Sequence, residues 1–68
     1  MSRLKDMLYT SAVADKAKAL LTLELLETHP AGIGDHSTED FYKNAEEALI
    51  MLVDADDKLA ALEKYYKV

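Results

Sequence analysis

The run HPAGIGDHSTEDF, from His29 to Phe41, holds both histidines, both glycines and the single proline of this chain. Imidazole nitrogen and carboxylate oxygen are metal ligands, so His29, Asp35 and His36 are candidate metal residues, with Glu27 and Glu39 close in sequence. Zinc sites draw three or four ligands from rigid positions, such as two histidines one helical turn apart. Here the histidines are seven residues apart across two glycines, and the adjacent side chains of Asp35 and His36 tend to point apart. The spacing therefore favours a turn with capping chemistry, and metal or ligand binding at this loop stands as the alternative.

Other chemical readings are weaker. Gly32-Ile33-Gly34 before a helix start has the look of a phosphate-cradling loop. Such loops follow a strand and usually carry a Lys, whereas this helix opens on Glu39 and Asp40, which would repel a phosphate. Di-iron bundles use inward Glu-x-x-His pairs, and no such pair occurs. VDADDK, from Val53 to Lys58, has the acidity of a calcium loop without its central Gly or terminal Glu. Ser2, Ser11 and Ser37 have helix or capping roles rather than a His and an Asp to activate them. No catalytic residue and no cofactor is assigned, and the chain is expected not to be an enzyme.

The elements that would position these residues are helices. Phe41, Ala45, Ala48, Leu52, Ala55, Leu59, Leu62 and Tyr66 are spaced alternately four and three apart, a coiled-coil heptad row that stays on one helix face. Lys43, Glu47, Asp54 and Lys58 fall on the opposite, wet face. A second apolar group, Tyr42, Leu49, Val53 and Ala60, lies beside the row, so this helix is expected to have two neighbours. The predicted core and dimer residues are Phe41, Ala45, Ala48, Leu49, Leu52, Val53, Leu59, Leu62 and Tyr66.

Residues 3–28 lack Gly and Pro and are rich in strong helix formers. Three apolar sides compete on this first helix: Tyr9, Val13, Leu20 and Leu23; Met7, Ala14, Leu21 and Leu25; Leu8, Ala12, Ala19 and Leu26. A helix apolar on several sides is usually covered from several sides. Pro30 disfavours helical geometry at His29 and ends it. Gly32 and Gly34 permit the reversal. Ser37 is the expected N-cap of the second helix, with Asp40 in the return position of a capping box and His36 placed to pack on Phe41.

These features predict an all-α chain: a single helical-hairpin domain over 1–68, with a helix at about 3–28, a turn at 29–36 and a helix at about 37–66. The short connection makes the helices antiparallel. A 68-residue chain with no cysteine has no disulfide to brace it and is marginal alone. Half of its residues are apolar, more than one hairpin can hide, so two protomers are expected to form a homodimeric four-helix bundle or a higher helical oligomer. The net charge of −5 repels phosphate backbones and disfavours nucleic acid. The RNA- or DNA-binding alternative would need a stripe from Lys16, Lys18, Lys43 and Lys58. No segment reaches the roughly 20 apolar residues needed to span a bilayer, and MSRLKDMLY is too broken by charge for a secretory signal. A cytoplasmic location is expected.

The block HPAGIGDHSTEDFYKNAEEAL, followed by DADDKLAALEKYY, resembles small helical proteins encoded by T4-like bacteriophages, including marine cyanophages. The distinctive string falls on His29 to His36, and the resemblance covers the loop and second helix. It implies a viral or marine-environment origin and an accessory role, in the host cytoplasm if viral; beyond a second copy of the chain, a host or viral protein is the expected partner. It implies no catalytic residues.

Overall fold

The computed structural model describes residues 2–28 and 38–68. Two helices, α1 (Arg3–Thr28) and α2 (Thr38–Tyr66), pack against each other. Among the described residues there is no strand. The molecule is a rod, 46 × 16 × 14 Å, as expected for helices of 26 and 29 residues rising 1.5 Å per residue. The helices run antiparallel: Leu25 and Leu26 lie beside Asn44 and Ala48, while Lys5 and Asp6 lie beside Lys67 and Val68.

Each described helix end has a local reason. Ser2 is the N-cap of α1: the Lys5 backbone N–H donates to Ser2 Oγ at 3.2 Å, and the Asp6 N–H donates to the Ser2 carbonyl at 3.0 Å. Asp6 adds negative charge to the first turn, where the helix dipole favours it. At the far end of α1, the Thr28 hydroxyl donates to the Glu24 carbonyl at 2.9 Å. Glu39 and Asp40 occupy the first turn of α2, and Lys64 the last, each on the side the dipole favours. Lys67 then turns left-handed, with φ 56°, and its N–H donates to the Glu63 carbonyl at 3.1 Å. This is the single-bond αL stop that glycine usually provides.

The seam between the helices is narrow. Its buried residues are Ala12, Ala19 and Leu26 on α1, and Ala48, Ala55 and Leu62 on α2. Both trios are spaced by seven, so each lies on one line along its helix. Four of the six are alanines, whose small side chains let two backbones approach closely. Phe41 extends the α2 line by one more interval of seven, and Ala45, Leu52 and Leu59 flank it; all four are half-buried. Lys43, Glu47, Asp54 and Lys58 are exposed.

Tyr66 departs from its place in the predicted core row and is 54% exposed. The seam position seven residues before Ala12 is Lys5. A charged side chain there gives the apolar line no continuation, so the buried seam ends at Leu62. His29, Pro30, Gly32, Gly34, Asp35, His36 and Ser37, the expected turn, capping and candidate ligand residues, lie outside the described residues. Asp40 is described and exposed.

Candidate interaction surface

Side chains on the two sides of the seam can be sorted by their offset from the buried line. Residues four after a buried seam position, such as Lys16, Leu23, Leu52 and Leu59, fall on one side of it. Residues three after, such as Asp15, Thr22 and Met51, fall on the other. In an antiparallel pair the four-after rows of both helices lie on the same face of the hairpin. Two contacts agree with this sorting. Lys16 Nζ reaches Asp56 Oδ1 at 3.0 Å across the first face. On the opposite face Thr22, Leu25, Asn44, Glu47 and Met51 rim a groove of about 310 Å³ floored by Ala19, Leu26 and Ala48.

The face carrying Lys16 and Asp56 is otherwise apolar over its central length. Val13, Leu20 and Leu23 contribute from α1, and Leu49, Leu52, Val53 and Leu59 from α2. Leu23, Leu52 and Leu59 are half-buried at the seam, whereas Val13, Leu20, Leu49 and Val53 are exposed. Leu49 and Val53 belong to the second apolar row read from the sequence, and they make no seam with α1. Tyr9 and Tyr42 stand toward opposite ends of this face, both exposed, with the Tyr42 ring edge-on to Phe41 at a centroid distance of 6.0 Å.

The Lys16–Asp56 pair is solvent-accessible in the single hairpin, with side chains 42% and 53% exposed. Such a pair contributes at most about 0.5–1 kcal/mol there. It also sits close to the middle of both helices, flanked by Val13 and Leu20 on α1 and by Leu52 and Leu59 on α2. No sequence pattern marks it. The two residues are forty apart, and only the register of the finished hairpin brings them together.

The four lysines considered for nucleic acid do not share a face. Lys18 and Lys58 lie on the groove side and Lys16 on the opposite side. Lys43 sits among Glu39, Glu46 and Glu47, whose carboxylates offset its charge. At the end of α2, the Lys64 ammonium stands 5.3 Å from the centroid of the Tyr65 ring, a cation–π contact. Among the described residues no group of three or more His, Asp or Glu side chains could hold a metal, and no helix is long and apolar enough to cross a membrane. His29, Asp35 and His36 are not among the described residues.

Comparison with protein-family models, curated proteins and solved structures gives no match.

Proposed function

We propose that this chain is a non-enzymatic interaction module that works as a homodimer, two hairpins closing into a four-helix bundle whose outer surface meets a protein partner. The observation that carries this reading is the balance of apolar surface. Among the described residues sixteen large apolar side chains are exposed, while the buried seam holds four alanines and two leucines. The chain exposes 5374 Å². A compact monomer of 7.6 kDa exposes about 4,300 Å², so the hairpin carries an excess of about 1,100 Å². A standard protein interface removes about 800 Å² from each partner, and one such contact accounts for most of the excess.

Burying that area is the energetic reason to associate. Each fully buried Leu or Val contributes about 1.5–3 kcal/mol relative to its exposed state, and the face around Lys16 offers several. The resemblance of the His29–Phe41 string to phage-encoded proteins supports a role in the cytoplasm of an infected cell, with a host or viral protein as the further partner. Sedimentation equilibrium between about 1 and 100 μM tests the first step. A mass twice that of the chain is expected, and a folded monomer across that range overturns the reading.

A further inference from the structure

We infer that the second copy docks on the face centred on Lys16 and Asp56, and that the two hairpins align with their loops at the same end, α1 of one protomer against α2 of the other. This rests on the homodimer proposed above and specifies its interface and topology.

The choice of face follows from charge and shape. A twofold interface uses the same patch on both copies, so the patch must complement itself. On this face the central charges are one ammonium and one carboxylate, held together at 3.0 Å, and their neighbours are aliphatic. A patch whose central charges cancel and whose centre is otherwise apolar fits another copy of itself, with Glu27 and Glu63 on the same face only toward its ends. The groove face is a poorer match for itself. Its rim mixes Glu47 and Asn44 with Leu25 and Met51, and Asp15, Asp54, Lys18 and Lys58 stand along it.

The choice of topology follows from the same pair. Two hairpins can meet face to face about a twofold axis in two ways. If the axis runs along the bundle, the loops share an end and α1 lies against the partner's α2. If the axis crosses the bundle, the loops are at opposite ends, α1 lies against the other α1 and α2 against the other α2. The first arrangement sets each Lys16 beside two carboxylates, its own Asp56 and that of the other copy, and the four charges alternate around a square. The second sets lysine opposite lysine and aspartate opposite aspartate near the middle of the interface. Like charges so placed select against an arrangement. An ammonium has three donors and a carboxylate about four acceptor sites, so the contact within one hairpin leaves both groups able to make a second. That second contact matters on burial, because a buried pair with unfilled hydrogen-bonding capacity gains little over its desolvation cost.

The test has two arms. In the first, a nitroxide is attached at Glu39→Cys, an exposed position near the loop end of α2 in a chain with no other cysteine, and the distance between protomers is measured by pulsed electron resonance. Loops together give a separation of roughly 25 Å or less, from helix spacings of about 10 Å. Loops opposed give about 40 Å, from the 1.5 Å rise over the roughly thirteen residues between Glu39 and the middle of α2, counted once in each copy. A dimer with the long distance overturns the topology and leaves self-association standing. In the second arm, Lys16→Glu and Asp56→Lys are each made alone and then mixed. Each alone is expected to weaken self-association at least tenfold, and an equimolar mixture is expected to recover a heterodimer. Dimers indifferent to both substitutions overturn the choice of face. A monomeric parent protein overturns the homodimer itself. Helicity by circular dichroism accompanies every variant, and the spin-label arm keeps both charges intact.

Discussion

Ala19 of α1 and Ala48 of α2 both line the floor of one groove between the helices, at 0% and 5% exposure. The buried seam holds four alanines and two leucines, Leu26 and Leu62, while Leu4, Leu8, Leu20, Leu21, Leu25 and Leu49 are exposed. This close approach fixes which faces of the helices remain for other contacts. It also makes the seam sensitive to added volume rather than to lost volume.

Ala19→Leu should therefore destabilise the hairpin. Three extra heavy atoms cannot fit at a fully closed site without moving α2 outward, and overpacking of this kind costs about 1–3 kcal/mol. Urea unfolding followed by circular dichroism measures it. Ala17→Leu, on an exposed position of the same helix, should change stability by less than about 0.5 kcal/mol. Equal effects at the two sites would contradict a close-packed alanine seam.

Ser2→Ala should cost about 1 kcal/mol. The Lys5 N–H that now donates to Ser2 Oγ would lose its side-chain acceptor. Ser2→Gly should cost only a few tenths of a kcal/mol. The loss should be local, with faster hydrogen exchange at Leu4 and Lys5 and little change near Ala19.

Lys67→Gly should stabilise the end of α2. Lys67 holds φ at 56°, a left-handed conformation that costs a residue with a Cβ about 1 kcal/mol and glycine almost nothing. The larger backbone entropy of unfolded glycine offsets part of this gain. The expected net effect is a rise of a few tenths of a kcal/mol in unfolding free energy, whereas Lys67→Val should lower it.

How much of this was legible depends on the helix. In α2 the apolar residues Phe41 to Leu62 fall on one row, so the side that meets α1 could be read directly from the spacing. In α1 three apolar sides competed, and hydrophobicity alone does not rank Leu8, Ala12, Ala19 and Leu26 above Tyr9, Val13, Leu20 and Leu23. Close approach decides it, because alanines on both helices lie seven apart and can be brought into register. Tyr66 shows the converse. Its spacing continues the α2 row, but a row is buried only where the facing helix supplies an apolar partner, and Lys5 does not. The Lys16–Asp56 contact needed the register of both helices and was invisible to either one. Of the turn residues, only Asp40 can be compared with the structure.

Leu49 and Ile50 are adjacent on α2 and similarly exposed, at 52% and 60%, yet successive helix residues point about 100° apart. Leu49 faces the Lys16–Asp56 side and Ile50 faces outward from the hairpin. Leu49→Glu should place a carboxylate in the proposed dimer interface, where an unpaired buried charge is costly, and raise the dissociation constant at least tenfold. Ile50→Glu should leave it within about threefold. Both sites are exposed in the single hairpin, so neither substitution removes a contact that holds α1 to α2. Light scattering across a dilution series separates the outcomes. Equal effects at the two neighbours would mean that association uses no defined face of α2, and a larger effect at Ile50 would move the interface to the outer side of the helix.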